Sequence, residues 1–180
     1  VVHHAALPYA DLPEFLAELR QRGGLAARAL EFLILTASRS GELLGARWEE
    51  IDLEGRLWTI PGSRMKAGRE HRVPLSDAAL AVLTALPNAH EGLIFRVGAL
   101  AMSRVLGLMR AGITVHGFRS TFADWAAEQT GFPHELVELA LAHTVGSAVV
   151  RAYRRSDLFE KRRELAEVWA RFCLGDTPGP

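Results

Sequence analysis

Hydrophobic residues recur at helical intervals from the beginning of the chain. Leu12, Phe15, Leu16 and Leu19 share one face of a predicted helix over 11–22, with Asp11 and Glu14 in capping-box positions and Gly23-Gly24 as a stop. The almost wholly apolar stretch from Leu25 to about Ala37 reads as a buried helix. Ser40 then starts a short one running to Trp48, which leaves Arg39 at the joint. From Trp48 the period changes to two: Asp52 to Gly55 reads as a turn, Arg56 to Ile60 alternates, Pro61-Gly62 interrupts, and His71 to Leu75 alternates again. This predicts a small antiparallel sheet with Lys66 near the tip of a loop. Helical patterning returns with a segment capped by Ser76 and ending at Pro87, its Leu75 and Leu80 placed as a hydrophobic staple, followed by helices over 98–110 and 114–130. In the last of these Phe118, Phe122 and Trp125 share one face, and His116 and Arg119 lie on another. Pro133 opens a further helix at its first position, Ala142 to Gly146 reads as a loop, and Ser147 caps a short helix containing Tyr153. Asp157 and Glu160 begin a final helix striped by Leu158, Leu165, Val168, Trp169 and Phe172. The expectation is a mainly α-helical α+β fold, with one domain over 1–174 and a disordered tail over 175–180.

Composition agrees with this. A chain of 180 residues, 49% hydrophobic and 23% charged, is an ordinary soluble globular domain that needs neither disulfide nor metal in order to fold. The single cysteine, Cys173, excludes an internal disulfide and points to a reducing, cytoplasmic setting. No apolar run approaches the roughly 20 residues that span a bilayer, so no membrane partner is expected. The N-terminus lacks the features of a signal peptide, and the absent initiator methionine suggests a fragment. Twenty-one basic side chains balance 21 acidic ones, which taken alone argues against a nucleic-acid partner. The distribution is less even. Five carboxylates and one arginine lie between Glu42 and Glu54, whereas Arg64, Lys66, Arg69 and Arg72 are opposed by Glu70 alone. A second basic cluster holds Arg151, Arg154, Arg155, Lys161, Arg162 and Arg163. The plain reading of such clusters is a solvated face.

Candidate chemistry is narrow. His3 and His4 are adjacent, His71 and His90 isolated, and no histidine pair has ligand spacing with a carboxylate, so no metal is expected. No glycine-rich phosphate loop occurs, so no nucleotide cofactor is expected either. What remains is a scattered set: Arg39, Lys66, His116 with Arg119, His143 and Tyr153. Each has an ordinary explanation, such as an ion pair of Arg39 with Glu42, a solvated loop lysine, or the Tyr153 ring packed on Val149 and Val150. Spacing by itself leaves the function open.

The local spellings narrow it. Thr36-Ala37-Ser38-Arg39-Ser40-Gly41-Glu42-Leu43-Leu44, Trp48-Glu49-Glu50-Ile51-Asp52 and Met65-Lys66-Ala67-Gly68-Arg69 leading to Val73-Pro74-Leu75-Ser76 come first. Val115-His116-Gly117-Phe118-Arg119-Ser120-Thr121, Leu141-Ala142-His143 and Ala152-Tyr153-Arg154-Arg155 follow in order. Together they resemble the catalytic domain of the tyrosine recombinases, or phage integrases, in the dialect of prophage and genomic-island enzymes. Ser38 and Ala142 stand where that family often has glycine. The resemblance implies the family's fold with a three-stranded antiparallel sheet. It implies a site-specific recombinase that works without metal or ATP through a covalent 3′-phosphotyrosine. In the implied roles Tyr153 is the nucleophile, Arg39, Arg119 and His143 hold the phosphate, Lys66 is the general acid, His116 accepts the phenolic proton, and Glu42 supports Arg39. Arg64, Arg69, Arg72 and Arg151 are expected along the DNA path. The implied partners are double-stranded DNA attachment sites and further protomers in a tetrameric synaptic complex, with the isolated domain monomeric. Core-binding and arm-binding domains of such relatives have no counterpart in these residues. The rival readings are a type IB topoisomerase-like enzyme that relaxes DNA, and an inactive DNA-binding module of the same fold.

Overall fold

The computed structural model describes residues 5–87, 91–146 and 156–176. Among these residues the chain forms eight α-helices around one three-stranded sheet. Helices α1 (Leu12–Gln21) and α2 (Leu25–Thr36) make a hairpin whose turn places Gly24 at φ 97°, a conformation that side chains with a β-carbon disfavour. Helix α2 is apolar on nearly every side and is buried accordingly, without interruption from Ala29 to Leu35. It forms the axis of the core, packed by α1, by α4 (Asp77–Thr84), by α5 (Ala101–Met109) and by α8 (Phe159–Cys173). Its one buried charge, Glu31, is paired with Arg28 at 2.8 Å and Arg20 at 3.3 Å.

The sheet runs β1 (Ile51–Asp52), β2 (Leu57–Ile60), β3 (His71–Pro74), antiparallel throughout, with Trp58 opposite both Ile51 and Val73. Alternation sends Trp58 and Ile60 inward, where the Trp58 ring meets that of Phe32 at 5.7 Å and fixes the sheet on α2. Helix α6 (Gly117–Gln129) and helix α7 (His134–Ala140) complete the wall beside α8. The stripe on α8 is spent within its own chain. Trp169 lies 4.9 Å from Trp125 and 5.2 Å from Phe122, and its indole N–H donates to the Ile34 carbonyl at 2.8 Å. No helix is long and apolar enough to cross a membrane among the described residues.

Several boundaries depart from expectation, each for a local reason. Asp11 makes no capping hydrogen bond, because a 3₁₀ turn over Tyr9–Asp11 runs directly into α1 and leaves Asp11 itself helical. Helix α3 (Ser40–Leu44) is capped at Arg39 and not at Ser40. It stops short of Trp48 because Ala46 and Trp48 are drawn into backbone hydrogen bonds of 2.9 Å with Ile94 and Gly92. Helix α4 ends at Thr84 and not at Pro87, although Ser76 does cap it, accepting the Ala79 N–H at 3.2 Å. The strand expected from Arg56 begins one residue later, since Arg56 takes φ 55° to close the preceding turn. Helix α5 starts at Ala101, later than the expected Gly98, and α6 starts at Gly117, with His116 as its N-cap. Pro133 precedes the first turn of α7 instead of opening it. Asp157 stays outside α8, whose N-cap is Leu158. Gly175 and Asp176, expected in a disordered tail, close α8 by donating to the carbonyls of Phe172 at 3.0 Å and Arg171 at 2.9 Å, a Schellman ending with Gly175 at φ 79°. The short helix expected around Tyr153 lies outside the described residues, as do His3, His4, His90 and the last four residues.

Candidate active site

The first of the candidate residues owes its position to a helix end. Helix α2 stops where Ala37 adopts φ 51°, and the chain leaves extended through Ser38 to Arg39, the N-cap of α3. Glu42, three residues on, is buried. Its carboxylate accepts the Arg39 backbone N–H at 2.9 Å and the Arg39 Nη1 at 2.7 Å. One side chain thus closes the capping box that starts α3 and holds the guanidinium.

Arg119 approaches from the first turn of α6. It is 5% exposed, and Nη1 and Nη2 donate to the carbonyls of Ala37 and Leu141 at 2.6 Å each. Nη2 also lies 3.3 Å from His143 Nε2. The carbonyl of Ala37 is free to accept because α2 has already ended there. Three segments therefore meet on this guanidinium: the ends of α2 and α7 and the start of α6. Of the five N–H groups a guanidinium carries, these contacts leave two for an outside acceptor. Burial and the nearby Arg39 charge lower the Arg119 pKa to about 10, against the opposing pull of Glu42 and Glu138, so it remains charged at neutral pH. Two cations kept together at partly buried positions form a site that favours an anion.

His143 follows Ala142, which adopts φ 52°. Glycine reaches that conformation freely, whereas alanine pays on the order of 1 kcal/mol. His143 Nδ1 lies 2.9 Å from Glu138 Oε2. Because arginine can only donate, the contact with Arg119 makes Nε2 the acceptor and places the proton on Nδ1, against the carboxylate.

Lys66 sits exposed in the loop between β2 and β3. The loop is folded by a 3₁₀ turn over Gly62–Arg64 and a 2.9 Å bond from Gly68 N–H to the Met65 carbonyl, with Met65 buried as its anchor. Gly62 packs against the Gly68–Arg69 backbone so closely that a β-carbon has no room. A cleft of about 590 Å³ opens beside this loop, lined by Met65, Arg69, His71 and Arg72 on one side and by Leu139 and His143 on the other. His116 is exposed at the α6 N-cap, one turn from Arg119. Arg39, Arg119 and His143 are brought together with Glu42, and the Lys66 loop flanks them; Tyr153 and Arg151 lie outside the described residues.

The basic clusters resolve into different tasks. Arg69 is exposed on the loop. Arg64, expected on the DNA path, is a strut: it grips Glu50 through two bonds of 3.1 and 2.6 Å and reaches the Glu42 carbonyl at 3.0 Å. Arg72 is bidentate to Asp157 at 2.8 and 2.6 Å, and its guanidinium lies 4.4 Å from the Phe159 ring centre. Arg162, read as part of a solvated face, is 2% exposed and donates to the Arg72 carbonyl at 2.7 Å, the Asp157 carbonyl at 2.8 Å and the Asp157 carboxylate at 3.1 Å. Sequence reasoning also set His71 aside as isolated. At the first position of β3 it lines the cleft. Burial, with the charges of Arg162, Arg39 and Arg119, lowers its pKa to about 4 in spite of Glu42, so it stands there as a neutral imidazole. Only its place on the strand following the lysine loop could have signalled this.

The phage integrase family model matches residues 9–158. Curated relatives include the prophage integrase IntA of Escherichia coli, 37% identical over 89% of this chain and 42% of its own length. Another is the prophage integrase IntZ of the same organism, at 32% over 93% and 44% respectively. The integrase of Shigella phage Sf6 is 30% identical over 91% and 46%. The chain thus spans less than half the length of these relatives. No solved structure matches it significantly. A family match covering most of the chain, on a helical framework that joins the two arginines to a histidine beside a hairpin lysine, identifies the chain as a member of the phage integrase family, with the fold of its catalytic domain.

Proposed function

We propose that the chain is the catalytic part of a tyrosine-type, site-specific DNA recombinase that integrates or excises a prophage or genomic island. The observation that carries this reading is Arg119: a buried guanidinium clamped by the carbonyls of Ala37 and Leu141, touching His143, and lying in the field of Arg39, itself held by Glu42. Its hydrogen bonds go to neutral carbonyls and a histidine, and a phosphodiester crossing the cleft supplies the opposing charge.

In this mechanism the Tyr153 hydroxyl oxygen attacks phosphorus, the bond to the 5′-oxygen breaks, and a 3′-phosphotyrosine and a free 5′-hydroxyl result. Rejoining is the reverse step and needs no external energy, because the ester bond is conserved in the enzyme–DNA link. A phenol with an ordinary pKa near 10 costs about 4 kcal/mol to ionise at pH 7, so its proton passes to His116 during attack. Lys66, on a loop that reaches outward, protonates the leaving 5′-oxygen. Arg39 and Arg119 hold the two non-bridging oxygens through the charge-assisted, planar bonding that suits guanidinium groups, and His143 joins them once protonated. No step calls on a metal or a nucleotide. The substrate is duplex DNA carrying attachment sites, the full-length protein acts with further protomers in a tetrameric synapse, and the isolated chain is a monomer working in the cytoplasm.

The test is covalent capture. The chain is incubated with a pool of nicked duplexes of randomised sequence, and protein–DNA adducts that survive detergent are isolated and sequenced. Tyr153→Phe should give no adduct while binding duplex as before, since it removes one oxygen and no charge. An adduct formed by that variant overturns the assignment. Relaxation of supercoiled plasmid without sequence preference would move the chain to the topoisomerase reading.

A further inference from the structure

Helix α6 carries Arg119 toward the cleft on one side, and on its opposite side lies the N-terminal segment of the same chain, residues 5–11. The segment tracks the helix from end to end. The Ala5 carbonyl accepts the backbone N–H of Thr114 at 3.0 Å, just before the helix begins. The Leu7 carbonyl accepts the Thr121 hydroxyl at 2.6 Å, and the Tyr9 hydroxyl donates to Glu128 at 2.7 Å and accepts from Gln129 at 3.2 Å near the helix end. Between the first two contacts, Gly117 lies directly against the backbone. A β-carbon there would fall inside contact distance of the Ala5 carbonyl oxygen and 3.0 Å from the Ala6 α-carbon. At 100° per residue, positions 117, 121 and 128 fall within about 40° of one another, and position 119 is about 180° away.

We infer that residues 5–11 are a strap that seats α6 from behind and so sets where Arg119 and His116 stand relative to Arg39 and the phosphate. This goes beyond the proposed recombinase reaction but rests on that reading for its catalytic consequence. Gly117, Thr121 and Leu7 become positioning residues that touch no DNA. The physical basis is that Arg119 is fixed at its tip by two carbonyls belonging to other segments, so its aim depends on α6 not sliding or rolling beneath it. Backbone against backbone at Gly117 leaves no soft side chain to absorb a displacement. In catalysis a misplacement of about 1 Å slows a reaction by roughly 10²-fold.

The inference is tested with the full chain and three variants: Gly117→Ala, Thr121→Val and Thr121→Ser. The first readout is independent of activity. By nitrogen-15 NMR, Gly117→Ala should shift the Arg119 Nε–H and His143 ring signals, while the Trp58 indole N–H, held by Glu50 in another part of the core, stays in place. The second readout is single-turnover adduct formation at saturating DNA on the nicked duplexes recovered by covalent capture. Gly117→Ala should be slowed roughly 10- to 100-fold with half-saturating DNA changed by less than about threefold. Thr121→Val should lie between it and the parent, and Thr121→Ser, which restores the hydroxyl, should return to the parent rate. The strap is overturned if the Arg119 and His143 signals of Gly117→Ala match the parent, or if rate and DNA affinity fall together with melting temperature in every variant, Thr121→Ser included. A parent chain that forms no adduct overturns the recombinase reading alone, and the strap then stands or falls on the NMR result.

Discussion

Replacing Asp157 with asparagine isolates a single charge at the joint between β3 and α8. The carboxylate takes two bonds from Arg72, at 2.8 and 2.6 Å, and one from Arg162 at 3.1 Å. Arg162 is 2% exposed, while Asp157 and Arg72 each keep 39% of the side chain in contact with water. Asparagine preserves the shape but only one of the two acceptor oxygens, so the change removes the charge and breaks the bidentate grip of Arg72. Losing the partner of a fully buried ion costs about 3–5 kcal/mol, and an exposed pair is worth about 1 kcal/mol or less. With one arginine buried and the other screened, we expect a loss of about 2 kcal/mol at pH 7. For a chain of this size that lowers the melting temperature by about 4–8 °C. The pH dependence adds a second constraint. Burial alone would raise the Asp157 pKa, but the hydrogen bond and charge of Arg72 together with Arg162 outweigh it and hold the carboxyl below its usual value. The stabilisation is therefore complete above the unfolded-state pKa near 4 and disappears as the pH falls through the lower folded-state value. Thermal unfolding of parent and Asp157→Asn between pH 7 and pH 2 should show two melting curves that converge in acid. A difference under about 1 °C at pH 7, or one that persists undiminished at pH 2, refutes the argument.

Four other expectations concern the cleft and its arginines. The His71 ring should titrate with a midpoint of about 4 in the DNA-free chain, as followed by NMR, and a midpoint above 6 would show that it is not buried beside Arg162, Arg39 and Arg119. Lys66→Ala should lose adduct formation on an ordinary nicked duplex and regain it when the leaving 5′-oxygen is replaced by sulfur, which departs without a proton; failure of that rescue removes Lys66 from the acid role. Arg64→Ala should lower stability by about 2–3 kcal/mol, because Glu50 loses its bidentate partner. Arg69→Ala should leave stability unchanged and reduce the slope of log affinity against log salt by about 0.9, provided Arg69 meets a phosphate. Equal effects of the two arginine variants on melting would contradict the division between strut and DNA-facing loop.

Elements with strong periodicity were legible in the sequence because each is decided by its own residues. The apolar faces of α1, α2 and α6, the alternation of β2 and β3, and the Ser76 cap need only local spacing and local hydrogen bonds to be recognised. Boundaries went astray where a distant partner competed. Local spacing makes Asp157 a helix start, yet it is held outside α8 by Arg72, 85 residues earlier. The pattern after Arg39 predicts a helix reaching Trp48, but the segment around Gly92 and Ile94 pulls that stretch into extended pairing.

The same division governs the site. The linear order of Arg39, Lys66, the His116–Arg119 pair, His143 and Tyr153 is a property of the sequence, and so is the resemblance that order carries. Which basic groups keep N–H donors for an outside anion was decided only by tertiary structure. Arg39 and Glu42 are three residues apart, so their pairing is a local event. Arg64, Arg72 and Arg162 are chemically as capable of meeting phosphate as Arg39. Arg64 is bound to Glu50, 14 residues earlier, Arg72 to Asp157, 85 residues later, and Arg162 is buried against the same Asp157 and the Arg72 carbonyl. Charge counts along the chain record how many guanidinium groups exist. Only the fold, by bringing carboxylates and carbonyls from remote segments within hydrogen-bonding distance, determines which of them are neutralised inside the protein and which are left for an anion.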